Sequence, residues 1–167
     1  MTTFADVLRA LAAARVRFLI SGVWGVNYYV VGPMFATRDQ DLFLPRDAEN
    51  LLNAWRACEQ LGLALTANDE PLDQPRDEVL AAAVVRTRSL TSASDGGLLH
   101  VDFSLVMGDF DFDTIWPRRR SFLTEGASSP VASLADILAA KRTADRPKDR
   151  LFLATHAEQL RKLLGQG

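Results

Sequence analysis

The chain has 167 residues, 48% of them hydrophobic and 24% charged, with a formal net charge of -2. That is enough for one domain with a substantial core, and too little positive charge for a protein that holds nucleic acid through a global field. One cysteine, Cys58, excludes an intramolecular disulfide and a multi-cysteine zinc centre, and two isolated histidines, His100 and His156, argue against zinc as well.

In chain order, Phe4, Val7, Leu8 and Leu11 recur at helical spacing behind Thr2 and Thr3, which can cap, so the chain opens with an amphipathic helix. Val16 to Ile20 reads as a short apolar strand that runs into Ser21 and Gly22. VWGVNYYVV then reads as a buried helix ending at Gly32 and Pro33. A strand that delivers a small-residue turn to a helix start is suited to phosphate, because unpaired N–H groups point at the ligand.

The next strand is DQDLFL, closed by Pro45. A helix through Ala48, Leu51, Leu52, Trp55 and Leu61 follows, terminated by Gly62, and Cys58 on it is expected to be a packing residue. Leu63 to Thr66 reads as a strand and Asn68 to Asp77 as an exposed loop. AAVVRTRSL suggests a strand, SDGG (Ser94 to Gly97) a turn, and LLHVDFSLV its hairpin partner. After Pro130 the helical signal resumes: Ser133 and Asp136 resemble a capping box, Asp145-Arg146-Pro147 breaks the helix, and one last helix carries Leu151 to Leu164. The order predicts an α/β or α+β domain, a mixed β-sheet flanked by helices.

In FATRDQDLFLP, strand alternation puts Asp39 and Asp41 on one face at the edge of the core. Two anions so close repel, so a bound metal, an arginine such as Arg38 or Arg46, or water at a strand end should lie between them. Asp102 alternates against Leu99, Val101 and Phe103, so it points away from the apolar face. If its strand lies beside DQDLFL, three carboxylates converge. Same-face residues sit roughly 6.5 to 7 Å apart along a strand, and their tips can meet cations about 3.5 to 4 Å apart.

The blocks SGVWGVNYYVVGPMFATRDQDLFL and HVDF resemble the polymerase-beta-type nucleotidyltransferase superfamily, in particular its small prokaryotic members, and the tail SLADILAAKRTADRPKDR is similar to the helical region that follows their sheet. The resemblance implies one nucleotidyltransferase-like unit over 1–167, with an α/β core over 1–130 and C-terminal helices over 131–167. Ser21 and Gly22 match the triphosphate-binding turn, Arg38 the basic residue before the acidic pair, Asp39 and Asp41 the metal-binding pair, and Asp102 the third carboxylate and general base. Lys141 and Lys148 match the basic residues placed on the helix after the sheet, where a solvated helix face is the plainer reading.

The implied cofactor is Mg²⁺ at a two-metal site, with Mn²⁺ as substitute. The implied reaction moves a nucleoside monophosphate from a nucleoside triphosphate to a hydroxyl on tRNA, a partner protein or a small molecule. The alternative is a catalytically inactive nucleotide- or partner-binding protein of this fold, in a toxin-antitoxin pair. A homodimer or a cognate partner protein is expected to complete the cleft. Two departures stand out: the turn is Ser-Gly where Gly-Gly or Gly-Ser is usual, and Gln40 takes a commonly apolar position.

Other polar clusters have plainer readings. DFDFD (Asp109 to Asp113) is expected to be a surface segment anchored by Phe110 and Phe112, and Arg118 to Arg120 a solvated face or a guide for RNA. His100, two residues before Asp102, either lines the site or stands at its rim with no catalytic duty, and His156 is expected at the surface. No secretory-signal pattern and no bilayer-length apolar run are present, so a cytoplasmic protein without a membrane partner is expected.

Overall fold

In the computed structural model, which describes residues 1–166, the opening helix α1 (Phe4–Ala13) starts behind Thr3. Thr3 Oγ1 accepts from the Asp6 N–H and the Asp6 carboxylate accepts from the Thr3 N–H, a reciprocal cap. β1 (Leu19–Ser21) follows and passes directly into α2 (Gly22–Val26). The long helix expected up to Gly32 stops early. Asn27 begins a 3-10 turn, and its side chain donates to the Phe35 carbonyl at 2.9 Å and accepts from the Phe35 N–H at 2.8 Å. Those two bonds close the loop that leads to the acidic pair.

β2 (Gln40–Phe43), α3 (Ala48–Gln60), β3 (Ala64–Ala67) and a two-residue β4 (Glu70–Pro71) come next, so a short strand lies inside the expected loop. The strand expected over AAVVRTRSL is instead mostly α4 (Glu78–Thr87). Asp77, read as the end of a loop, is its cap: the carboxylate accepts from the Leu80 N–H at 3.0 Å, and Ala81 and Val84 then bury one helical face. Only β5 (Thr91–Ser94) is extended there, and it forms the hairpin with β6 (His100–Ser104).

After a short α5 (Phe112–Ile115), β7 (Arg120–Thr124) and β8 (Ala127–Val131) make a hairpin that the sequence reading did not contain. Its two-residue loop is Glu125-Gly126, both at positive φ. Pro130 is tolerated in β8 because pairing to β1 is confined to the strand end, at Ile20↔Val131. α6 (Leu134–Ala144) starts at Ser133 as expected, but the last helix is two, α7 (Pro147–Thr155) and α8 (Ala157–Gln166). They part at His156, which is half-buried rather than a surface residue: its ring stacks 4.4 Å from Phe35 and 5.0 Å from Phe152.

The eight strands form one mixed sheet in the order β4-β3-β5-β6-β2-β1-β8-β7, with β2·β6 and β1·β8 parallel and the other pairs antiparallel. α1 packs on α3 and β8, and α3 on α4; α2 packs on α6, and α6 on α7. This is the α/β sheet flanked by helices that the element order predicted. Trp55, Phe103, Leu42 and Leu19 are fully buried at its centre, each contributing about 1.5 to 3 kcal/mol or more by burial, and the Trp55 indole N–H donates to Thr91 Oγ1 at 3.1 Å. Cys58 packs in this core, where burial pushes its thiol up to about 12 and removes it as a nucleophile. Among the described residues no helix is long and apolar enough to cross a membrane.

Candidate functional site

The register of four neighbouring strands aligns four polar residues in one row. Ser21 of β1 pairs with Asp41 of β2, Asp41 with Asp102 of β6, and Asp102 with Ser92 of β5. Residues in register across strands share a face, so the row turns one way while Leu42, Val101 and Phe103 turn the other and are buried. Asp39, two residues before Asp41 and just outside the strand, adds a third carboxylate.

Ser21, Asp41 and Asp102 of this row line a cleft of about 640 Å³. Ser21, Gly22, Asp39, Asp41, Asp102, Lys141 and Lys148 all contribute to its wall, whereas Arg38 is exposed and outside it. Among the described residues no arginine pairs with the two acids: Arg46 donates to the Leu105 carbonyl at 3.1 Å instead. The salt-bridge explanation for Asp39 and Asp41 therefore fails.

Gly22 lets the turn and the acid row meet. Its φ is +64°, and a Cβ there would overlap the Asp41 carboxylate. Ser21 makes no capping bond with its hydroxyl, so the turn presents that hydroxyl and the first N–H groups of α2 unclaimed by the helix. Gly22→Ala is expected to lower stability by about 1 to 3 kcal/mol and to push Asp41 out of place, read by urea unfolding alongside nucleotide titration. A variant as stable as wild type would show that the turn relaxes around a side chain.

Burial pushes the Asp41 carboxyl up to about 7, helped by the charges of Asp102 and Asp39 and opposed by Lys141 and Lys148. Burial also raises Asp102, opposed by a Ser92 hydroxyl that donates to its Oδ1 at 2.6 Å and by His100, whose Nε2 lies 3.1 Å from the same oxygen. Oδ2 of Asp102 has no hydrogen-bond partner among the described residues. Asp41 and Asp102, both pushed up, together with the neighbouring Asp39 carboxylate form a donor set short of positive charge. Oxygen donors of this kind fit a divalent cation, and one atom each of Asp39, His100 and Asp102 already lie within 4.8 Å of one another.

The opposite wall is basic. Lys141 is buried against Asp149, with Nζ 3.4 Å from Oδ1, so it does not belong to a solvated helix face. Arg146 donates to both Asp149 oxygens at 2.6 and 3.1 Å, and with Lys141 it holds that carboxyl low against the upward push of burial. Lys148 is exposed at the mouth. Asp149 and Ser92 carry no signal of their own in the sequence, and Arg146 stands there only as one of a basic cluster and in the Asp145-Arg146-Pro147 break; alternation with Ala93 is what marks Ser92.

The other clusters are structural. Asp113 of DFDFD pairs with Arg17, and Phe112 is buried. Arg118 forks onto the buried Asp136 at 2.9 and 3.0 Å, Arg119 lies over Trp116 and Arg120 over Phe122, so the arginine run is an exposed face, as expected, with each side chain held by a neighbour.

No family model and no curated protein matches the sequence. Solved structures do match the fold. The lincosamide antibiotic adenylyltransferase LnuA, lincomycin-bound, superposes with a TM-score of 0.59 at 14% identity, covering 94% of this chain and 93% of that one. The antibiotic-resistance factor ANT(2'')-Ia in solution superposes with a TM-score of 0.53 at 15% identity, covering 96% and 86%. The sheet that aligns Ser21, Asp41 and Asp102 thus has the fold that these two proteins share.

Proposed function

We propose that residues 1–167 form one nucleotidyltransferase unit that moves a nucleoside monophosphate from a nucleoside triphosphate to a hydroxyl of a small molecule. The observation that carries this is the single cleft in which the Ser21-Gly22 turn, three carboxylates and a basic wall face one another. Asp39, Asp41 and Asp102 would hold Mg²⁺ or Mn²⁺, which supplies charge neutralisation at the triphosphate. The turn N–H groups and the Ser21 hydroxyl receive phosphate oxygens, and Lys141 and Lys148 offset the charge of the departing pyrophosphate.

Asp102 takes the proton. The acceptor oxygen forms a bond to the α-phosphorus as the bond from that phosphorus to the bridging oxygen of pyrophosphate breaks. The hydroxyl proton passes to Asp102 Oδ2, the oxygen left without a partner, and the raised affinity of this carboxyl for protons suits a base. Arg38 has no part in this scheme unless the loop before β2 turns inward.

Two observations favour a small acceptor over tRNA. Lincosamide adenylyltransferase is a chain of similar extent, 93% covered by this one. The arginines that would guide RNA are committed to Asp136, Trp116 and Phe122. The test is calorimetric titration of each nucleoside triphosphate with Mg²⁺ on wild type and Asp39→Asn/Asp41→Asn, followed by pyrophosphate release over hydroxyl-bearing small molecules, lincosamides first. Binding that needs both metal and carboxylates, then release with an acceptor, supports the proposal. Folded wild type that binds no nucleotide overturns it, and binding without release on any acceptor would favour a non-catalytic partner-binding protein, with a second copy or a cognate protein as the next search.

A further inference from the structure

We infer that His100 is itself a ligand of the metal ion shared by Asp39 and Asp102, and that its imidazole makes this site favour Mn²⁺ over Mg²⁺. The inference rests on reading the cleft as a metal-nucleotide site. His100 and Asp102 stand two residues apart on β6, on one face. The 3.1 Å between His100 Nε2 and Asp102 Oδ1 is a hydrogen bond in the metal-free chain, with Nε2–H donating, and a metal ion can take the place of that proton between the two atoms. The distance is also the edge of a coordination octahedron: two donors about 2.1 Å from one ion at a right angle are about 3 Å apart. Asp39 offers the third donor, since its carboxylate oxygen, the His100 nitrogen and the Asp102 oxygen lie within 4.8 Å of one another. Opposite corners of the same octahedron would be about 4.2 Å apart.

His100 is also held in place. Its backbone N–H donates to Gln40 Oε1 at 2.9 Å, a bond that continues the β2·β6 ladder beyond Gln40↔Val101. The polar residue inside the acidic pair thus clasps the backbone that carries the imidazole, which gives the unusual Gln40 a part in placing His100. Ser92 fixes the other partner by donating to Asp102 Oδ1. A ligand whose neighbours are already oriented loses little freedom on binding metal. Mg²⁺ prefers oxygen donors and keeps several waters, whereas imidazole nitrogen shifts affinity toward transition metals.

The experiment is pulsed EPR of wild-type protein loaded with Mn²⁺ and a non-hydrolysable ATP analogue, prepared with natural-abundance and with ¹⁵N-labelled histidine. Nitrogen coupling that changes with the label is expected, and it should vanish in His100→Gln, which keeps a hydrogen-bonding side chain without imidazole. His156 is engaged in the Phe35 and Phe152 stack, so the variant assigns the signal. In competition titrations the same variant should lose about tenfold of the preference for Mn²⁺ over Mg²⁺. Mn²⁺ that binds through Asp39 and Asp102 with no histidine coupling overturns this inference and leaves the proposed function standing. Folded wild type that binds no Mn²⁺ overturns both. Should His100→Gln misfold, the isotope comparison on wild type still decides.

Discussion

Asp102→Asn is expected to bind nucleoside triphosphate nearly as wild type does and to release pyrophosphate at least about a thousandfold more slowly. The substitution is nearly isosteric. An amide oxygen can still accept from the Ser92 hydroxyl, which donates at 2.6 Å, so the side chain keeps its rotamer and its place between Asp41 and Ser92 in the row. What it loses is the capacity to take a proton at the second oxygen. General-base contributions run about 10² to 10⁴-fold, and weaker hold on the cation adds to that.

Asp39→Asn/Asp41→Asn should behave differently, weakening nucleotide binding and turnover together, because those residues line the cleft beside the turn proposed to receive phosphate. Steady-state pyrophosphate release paired with calorimetry separates the two patterns. An Asp102→Asn variant with turnover within tenfold of wild type would remove the base from Asp102 and return the proton to solvent.

The convergence of these side chains on one cleft was legible in the sequence because the pattern that sets it is local. The Ser21-Gly22 turn, Asp39, Asp41 and Asp102 each sit on or beside a strand whose alternation can be read residue by residue, and the sheet order then places them in one row. Arg38 lies outside the cleft wall, because position in the chain says nothing about which way an exposed loop residue turns. His100 was visible as a neighbour of Asp102, but its closeness to Asp39 depends on two strands meeting in parallel, which no local pattern carries.

The errors in the fold have similar causes. Val84 and Val85 are β-branched and drew a strand reading, yet a capping Asp77 and an alanine run decide for helix. The β7–β8 hairpin was hidden by a proline that only an edge-like position forgives, and the division of the last helix at His156 has no Pro or Gly to announce it.

Asp41→Asn is expected to stabilise the metal-free protein by about 2 to 4 kcal/mol at pH 8, and to flatten the fall in stability that wild type shows between about pH 4 and 7. In the folded chain the Asp41 carboxyl titrates near 7, against an ordinary value of 3.8. Below 3.8 it is protonated in both folded and unfolded states and contributes nothing to the balance. Between 3.8 and 7 the folded state keeps a proton that the unfolded chain has released, so stability falls as pH rises, by up to about 1.4 kcal/mol per pH unit. Above 7 the whole cost is present. Asparagine is neutral throughout and removes it.

A divalent cation relieves the same strain in wild type by binding the folded state alone, and should stabilise the variant much less. Urea unfolding at pH 5 and pH 8, with EDTA and then with Mg²⁺ or Mn²⁺, measures all of this. A variant less stable than wild type at pH 8 in EDTA would mean that Lys141 and Lys148 already neutralise Asp41, and the acid row would then need no metal. The stabilised variant, by contrast, would show a buried carboxylate kept at a cost to the fold, as expected of a group whose partner arrives only with the substrate.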